Sequence, residues 1–510
     1  MALAALILLG MLLGTQASYN YKFDVQEKSI AEIHHEFARG LTSRKLVELY
    51  IERVRRHDPQ LKSIIELNPD VWKLADQADA ERSAAGGYVG GLHGIPILLK
   101  DNIATADSLS TTAGSFALFP NTVKDEAFVV SLLRKAGAII FGKANLSELM
   151  HFRSQLLPNG FSPRGNQTKD PYSLDSDPCG SSTGSAVAVA ANLVSVSLGT
   201  ETQGSLICPS SRNAVVSIKP TVGLTSRSGV IPISINFDTI GPMAKTVADA
   251  VLTLDKIVGS DPKDKATFAC KLPDYGFHSH LKADGLCGKR IAISRSPFFD
   301  EVPSFEVAVI NNAIATMKKK GAVVIDNVTI PTIGEIINGT ALFPPPLKAD
   351  VVTLLTDFKI QIEEYLGGLL ETPVKNLQDI FDFDRFSQPE EFAKFPDDIF
   401  NASLQTQGRD TAAYQLALAT DFNLTRDGLL KIFQELQLDA IVAPADSSIA
   451  VPASIGGFPA ITLPAGYSPL NGLPFGITIV GNRCSEAKLV EIAFALEQQT
   501  KARKPPPLFA

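Results

Sequence analysis

The chain has little of what marks several large classes of protein. It contains five cysteines and seven histidines among 510 residues, and none of them stands in the spacing of a zinc or redox site. The formal net charge is −7 and no run is rich in lysine and arginine, so no nucleic-acid partner is expected. The N-terminal apolar run, 2–13, is shorter than the roughly 20 residues that span a bilayer. The sequence therefore predicts no metal, no cofactor and no membrane contact beyond this N-terminal segment.

The composition and the N-terminus indicate a folded, secreted protein. Hydrophobic residues make up 45% of the chain and charged residues 20%, which is typical of a globular protein with a large core. Small residues at Thr15 and Ala17 fit the −3 and −1 positions of a cleavage site, so we interpret 1–17 as a signal peptide. A buried or membrane-dipping N-terminal helix is the alternative. Localisation outside the cell or in the endomembrane lumen follows from the first interpretation.

Acceptor triplets for N-glycosylation agree with secretion. One of these triplets begins at Asn145, whose neighbours are apolar, so we expect this asparagine to be buried. The remaining candidates are Asn166, Asn327, Asn338, Asn401 and Asn423.

The cysteines are few and odd in number. Cys270 and Cys287 flank a short polar stretch, and we expect them to form a disulfide in an oxidising compartment. Two free thiols are the alternative. Cys179 and Cys208 lack the spacing of a metal or redox motif, so we interpret them as small buried packing residues.

Strands and helices alternate along most of the chain. Apolar runs at 95–99, 138–141, 291–294 and 322–325 read as strands, and helical periodicity lies between them. This alternation predicts an α/β fold: a single large α/β/α domain over 18–510, with a mixed, mainly parallel central sheet covered by helices on both faces. The region 332–430 is more helical and irregular, and we call it the helical cover. No low-complexity linker separates it from the rest.

Three residues carry the chemistry that the sequence suggests. Lys100 ends an apolar strand, and Ser181 and Ser205 lie in glycine-containing turns 24 residues apart. A serine needs a neighbouring base to become a nucleophile, and a lysine serves as that base once burial lowers its pKa. The turn at 180–185 lacks the ending of a P-loop and the spacing of a dinucleotide loop, so nucleotide binding is disfavoured.

The sequence motifs around these residues resemble those of the amidase signature family of serine hydrolases, most closely those of its plant and fungal members. The likeness extends over 42–496 and is densest over 90–250, which we call the signature core. It includes Thr111-Thr-Ala-Gly-Ser, Gly142-Lys-Ala-Asn and Ile218-Lys-Pro-Thr-Val-Gly-Leu.

The resemblance implies a Ser-Ser-Lys triad that cleaves amides. Lys100 would be the base, Ser181 the relay after a cis peptide bond, and Ser205 the nucleophile that forms an acyl-enzyme. Backbone N–H groups of Thr202, Gln203, Gly204 and Ser205 would form the oxyanion hole. The expected partner is a small amide.

The chain departs from the family pattern beside the nucleophile. Gln203 replaces a usual glycine, which is tolerable if its φ is negative. Ile207 replaces a usual arginine, and we expect Arg212 to supply the missing partner of Glu201.

Other functions remain open on the same residues. An esterase or acyltransferase would use the same acyl-enzyme, and a non-catalytic binding protein could retain the fold. An amide-transferring synthetase subunit is disfavoured by the secretory N-terminus. The sequence leaves the oligomeric state open, with a homodimer as one option. The substrate is also undetermined, although Leu342, Phe343, Phe358 and Phe381 of the helical cover could line an apolar pocket.

Overall fold

The computed structural model describes residues 23–342, 347–387, 391, 393–507 and 509. The predicted signal peptide, 1–17, and Phe343 lie outside the described residues. The described helices are α1 Ile30–Phe37, α2 Ser43–Leu61, α3 Val71–Ala84, α4 Phe128–Lys135, α5 Glu148–His151, α6 Thr183–Ala190, α7 Ile207–Arg212, α8 Val247–Ile257, α9 Ser304–Lys319, α10 Ile333–Asn338, α11 Ala349–Gly367, α12 Leu377–Phe386, α13 Asp398–Leu404, α14 Ala412–Thr425, α15 Lys431–Glu435, α16 Ala450–Ile455 and α17 Glu486–Thr500.

The described strands form one large sheet and two small ones. They are β1 Ile64–Leu67, β2 Pro96–Lys100, β3 Thr122–Val123, β4 Ile139–Ala144, β5 Phe161–Ser162, β6 Asn166–Gln167, β7 Val196–Glu201, β8 Val216–Lys219, β9 Thr239–Ala244, β10 Arg290–Ile293, β11 Val323–Ile325, β12 Leu369–Glu371, β13 Ala440–Pro444, β14 Ala460–Tyr467 and β15 Pro474–Val480. The large sheet has eleven strands in the order β1-β4-β2-β7-β9-β8-β14-β15-β13-β10-β11.

This sheet is mixed, as predicted, and helices cover both of its faces. Parallel pairs occur in two blocks, β4-β2-β7 and β13-β10-β11. The strands between these blocks pair antiparallel, from β7-β9 through β9-β8, β8-β14 and β14-β15 to β15-β13. Alternating strands and helices indicated the parallel blocks, whereas the antiparallel middle depends on pairing that sequence periodicity does not reveal.

Several elements inside the signature core are completely buried. Every residue of β2 and β7 is buried, and so is every residue of α6. Alanine, valine and small polar residues fill α6, which fits a helix surrounded on all sides. A Cβ on Gly184 of this helix would lie 2.3 Å from the carbonyl oxygen of Ser63, so only glycine allows this close approach.

The helical cover packs as a second, smaller apolar layer. Leu354, Phe358 and Ile362 of α11 bury their side chains against Leu146 and Ile231 of the signature core. Because the Phe358 ring packs between those of Phe152 and Phe400, it belongs to the apolar core. Phe381 is partly buried in the same cluster, whereas Leu342 is exposed.

The disulfides differ from the predicted ones. Cys270 pairs with Cys484, not with Cys287, which is a free and exposed thiol. Cys179 and Cys208, interpreted from the sequence as packing residues, form a second disulfide. The expected Cys270–Cys287 bond was wrong because nearness in sequence was taken for nearness in space. The folded chain brings Cys484 to Cys270 across 214 residues.

The asparagines of the acceptor triplets differ in exposure. Asn145 is buried, and the five glycosylation candidates, Asn166, Asn327, Asn338, Asn401 and Asn423, are exposed. Among the helices of the described ranges, none is both long and apolar enough to span a bilayer.

Candidate active site

The three predicted residues come from three neighbouring pieces of the signature core. Lys100 is the last residue of β2, and β7 lies beside β2 in the sheet. Ser181 and Ser182 immediately precede α6, and Ser205 lies in the turn between β7 and α7. Since β2 and β7 are parallel, their carboxyl ends meet at one edge of the sheet, and this edge brings the lysine and the serines together.

The side chains form a continuous line of contacts. Lys100 Nζ lies 2.8 Å from Ser181 Oγ, and Ser181 Oγ lies 3.0 Å from Ser205 Oγ. The peptide bond between Gly180 and Ser181 is cis, as the family resemblance implied. Lys100 is fully buried, Ser181 is 1% exposed and Ser205 is 8% exposed. The line therefore runs from the interior outward and opens at Ser205.

Burial gives Lys100 the protonation behaviour that a base needs. Desolvation lowers the pKa of its amine from 10.5 to about 7, although the negative charges of Asp238 and Glu201 oppose this shift. The amine also lies 3.0 Å from Ser182 Oγ and 3.1 Å from the carbonyl oxygen of Thr200. A neutral amine is therefore populated near neutral pH in contact with a hydroxyl.

The turn that carries Ser205 leaves its N–H groups free. In the described part of the chain, the backbone N–H groups of Thr202, Gln203, Gly204 and Ser205 donate to no acceptor. The next two, from Leu206 and Ile207, both donate to Glu201 Oε2, at 2.7 and 3.0 Å. Glu201 thus satisfies the first donors of α7, while the four preceding N–H groups of the turn have no acceptor among the described residues.

The unusual glutamine fits this turn without strain. The positive φ of the turn, +84°, belongs to Gly204 and not to Gln203. The side chain of Gln203 points to the helical cover, where its Nε2 lies 3.3 Å from Asp350 Oδ2 of α11. Burial raises the pKa of the Asp350 carboxyl. The departure from glycine therefore adds a polar contact between the signature core and the helical cover.

Arg212 does not take the place of the missing arginine. It pairs with Asp446, at 3.0 Å between Nε and Oδ2, and so the expected contact with Glu201 was wrong. Glu201 is the last residue of β7 and its carboxylate lies at the start of α7, whereas Arg212 ends α7, about 8 Å further along the axis at 1.5 Å per residue. The partners of Glu201 are backbone N–H groups, with the charge of Lys219 nearby.

Sequence reasoning missed several groups that hold the site. Ser182 contacts the lysine and also donates to the Thr200 carbonyl, at 2.9 Å. Asp238 accepts a hydrogen bond from the Thr202 hydroxyl at 2.6 Å and from the backbone N–H groups of Ile233 and Ser234. Ser182 stands beside a predicted catalytic serine, which was an available signal. Asp238 offered none, because its contact with Thr202 depends on the pairing of β7 with β9.

The described ranges contain no cluster of three or more His, Cys, Asp or Glu side chains arranged for a metal ion.

Comparison with known proteins agrees with this geometry. The Amidase family model matches residues 45–490 of the chain. The chain belongs to the amidase family. It is 44% identical over 501 residues to an Arabidopsis thaliana protein named a probable amidase. The alignment covers 97% of this chain and 94% of the relative. The chain is thus a hydrolase that acts on amides.

Solved structures show the same fold in this family. The peptide amidase of Stenotrophomonas maltophilia superposes with a TM-score of 0.88 at 38% identity, covering 96% of this chain and all of the other. A peptide amidase crystallised with the competitive inhibitor chymostatin superposes with a TM-score of 0.87, also at 38% identity, over 95% of this chain and all of the other.

Proposed function

We propose that the chain is a secreted amidase that cleaves a carboxamide C–N bond through an ester on Ser205. The observation that carries this proposal is the line of contacts from Lys100 Nζ through Ser181 Oγ to Ser205 Oγ, at 2.8 and 3.0 Å. These distances allow a proton to move between neighbouring groups, which general acid–base catalysis requires.

In the acylation step, Ser205 Oγ attacks the amide carbonyl as its proton passes to Ser181 Oγ. Ser181 in turn gives its own proton to the neutral amine of Lys100. The carbonyl oxygen becomes an oxyanion, which the N–H groups of residues 202–205 stabilise. The tetrahedral intermediate then collapses, the C–N bond breaks, and the proton returns through Ser181 to the leaving nitrogen.

Deacylation repeats the route with water as the nucleophile. Water loses a proton through Ser181 to Lys100 and attacks the ester carbonyl. When the C–O bond to Ser205 breaks, the proton returns to Ser205 Oγ and the carboxylic acid leaves. The enzyme is then restored, and no redox change occurs in the cycle.

The substrate that we propose to test first is a peptide amide. Support comes from the neighbour of known structure that is named a peptide amidase and aligns with nearly the whole chain at 38% identity. The helical cover, 332–430, would form the variable part of the substrate pocket within one hydrolase domain over 18–510. Its α11 comes close to the nucleophile through the contact between Asp350 and Gln203.

Secretion completes the proposal. The segment 1–17 would be removed after Ala17, and two disulfides suit an oxidising compartment. The exposed candidates between Asn166 and Asn423 would then be available for glycosylation. N-terminal sequencing and glycan mapping of protein secreted by a eukaryotic host test these points directly.

Turnover of an amide series with matched serine variants tests the chemistry. Ser205→Ala should lower kcat/KM by at least about 10⁴-fold and abolish labelling by a fluorophosphonate, because the nucleophile is lost. Ser210→Ala, a change at another buried serine, should retain labelling. Product analysis with an added amine separates hydrolysis from acyl transfer. Full turnover by the Ser205→Ala variant would contradict the proposal.

A further inference from the structure

The disulfide Cys179–Cys208 joins the two turns that carry the proposed catalytic serines. Cys179 stands two residues before Ser181, and Cys208 stands three residues after Ser205 in the first turn of α7. The Cα atoms of the two cysteines are 5.9 Å apart, and 29 positions separate them in the chain. The bond therefore closes a loop that contains α6, β7 and both serines.

Few other contacts connect these two turns directly. Ser181 Oγ lies 3.0 Å from Ser205 Oγ, and the Ser182 N–H donates to the Ser205 carbonyl at a long 3.3 Å. Ser181 stands before α6 and Ser205 in the turn after β7, so the relay and the nucleophile lie on different segments of the fold. A covalent link beside them limits how far the two hydroxyls can separate.

Each cysteine is also tied to the serine turn on its own side. The Cys179 carbonyl accepts a hydrogen bond from the Thr183 hydroxyl at 2.6 Å, across the cis peptide and Ser181. The Cys208 N–H donates to the Gly204 carbonyl at 2.9 Å, directly before Ser205. A displacement of either cysteine is therefore transmitted to the backbone that positions a serine.

We propose that Cys179 and Cys208 are positioning residues whose disulfide sets the distance between relay and nucleophile, so that reducing it lowers turnover. This inference rests on the proposed function of Ser181 and Ser205. A dithiol supplies two electrons and two protons, converts the bond to two thiols and is itself oxidised to a cyclic disulfide. Misplacement of reacting groups by about 1 Å can reduce rates about 100-fold, so a small relaxation is sufficient.

The second disulfide is a matched control. Cys270–Cys484 closes a loop of 214 residues and lies at the start of α17, away from the serine turns. Both bonds include partly or fully exposed cysteines, so a reductant has access to each. Chain entropy predicts that the longer loop contributes at least as much to stability. Stability and positioning therefore make opposite predictions about which bond matters for turnover.

The test compares two double variants, Cys179→Ser with Cys208→Ser and Cys270→Ser with Cys484→Ser, both in a Cys287→Ser background that prevents thiol exchange. The first should lower kcat on a peptide amide by tenfold or more, with KM within twofold, and should slow fluorophosphonate labelling of Ser205 equally. The second should lower the Tm while kcat stays within twofold. Assays run at least 15 °C below each Tm.

Mild reduction of the Cys287→Ser protein by dithiothreitol provides the same test without refolding. Mass mapping of trapped thiols should show that kcat falls with the opening of Cys179–Cys208 and returns on reoxidation. An unchanged kcat in the folded Cys179→Ser/Cys208→Ser variant would overturn the inference. So would an unchanged kcat in the Cys287→Ser protein after its Cys179–Cys208 bond is opened. An equal kcat loss in the control variant would do so as well. Activity of Ser205→Ala is measured in parallel, so a failure of the proposed function is recognised separately.

Discussion

The signature core and the helical cover hold their polar groups in different ways. In the signature core, Lys100 at the end of β2, Ser181 before α6 and Ser205 after β7 form a continuous line of contacts. The helical cover joins this core through side chains that cross between them, such as Asp397 to Arg153 and Asp357 to Ser234, and through the backbone pairing of β12 with β3. The comparison teaches that the candidate site is held on backbone beside the central sheet, whereas polar side chains of the helical cover help attach it to that core.

Acidification should break the signature core's chemistry with the largest effect. Because burial lowers the pKa of Lys100 to about 7, its amine is neutral above that pH and charged below it. We expect kcat/KM to approach a fall of about tenfold per pH unit below about 7, which is about 50-fold between pH 7 and pH 5 because half of the amine is already charged at pH 7. Measurement of kcat/KM from pH 5 to 9 checks this, with circular dichroism as the control for folding. A flat profile would exclude Lys100 as the base.

Removal of Arg153 should weaken the attachment of the helical cover to the signature core. Its fully buried guanidinium lies 2.6 Å from Glu148 Oε2, 2.7 Å from Asp397 Oδ1 and 3.5 Å from Asp384 Oδ2. Arg153→Met leaves these carboxylates without that cation, and we expect the free energy of unfolding to fall by about 3–5 kcal/mol. Urea denaturation measures the loss.

The matched control for this prediction is Arg426→Met. Arg426 pairs with Asp427 on the surface of the helical cover, where solvent screens the charges. We expect no measurable change in stability from it. Equal losses from the two variants would show that the buried cluster does not fasten the cover.

Loss of the Asp350 carboxylate, which lies in the helical cover, should have the smallest effect. It should lower kcat through the contact with Gln203. Its Oδ2 accepts from Gln203 Nε2 at 3.3 Å, beside the proposed oxyanion hole. We expect Asp350→Ala to lower kcat about threefold, since a typical hydrogen bond contributes about 0.5–1.5 kcal/mol and this one acts on the reaction only through Gln203. Asp350→Asn should restore kcat, because its amide oxygen still accepts from Gln203.

A double-mutant cycle with Gln203→Ala sharpens this prediction. The double variant should lose no more kcat than either single variant, since all three remove the same contact. Additive losses would mean that Asp350 and Gln203 act independently on the reaction.

The two regions also differ in how far the sequence predicted them. Continuous apolar runs such as that at 95–99 predicted strands of the signature core because a strand buried on both faces needs them. Outside both regions, the strand β15, Pro474–Val480, was not predicted, since its pairing with β14 and β13 is a property of the folded sheet. The helical cover was described only as helical, because the four-residue spacing of Leu354, Phe358 and Ile362 indicates a helix but not the residues against which it packs.

In the site, residue types were predictable and their partners were not. The lysine and the serines lie in a line of contacts, as the specific motifs around them suggested, and their catalytic roles stay a prediction. The pairs Cys179–Cys208 and Arg212–Asp446 depend on distance in the folded chain. One inference was available nevertheless: two turns that must touch through their serines also bring together the cysteines beside those serines.

The outward opening of the line from Lys100 to Ser205 has a consequence for the order of events. Ser205 is the most exposed of the three residues, whereas Ser181 and Lys100 are almost completely enclosed. On the proposed route, the leaving amine and the incoming water must both exchange protons with the same hydroxyl, that of Ser181. They cannot occupy that place together, so the amine has to depart before water enters. The geometry thus favours a ping-pong sequence, in which the amine is the first product released and the acid the second.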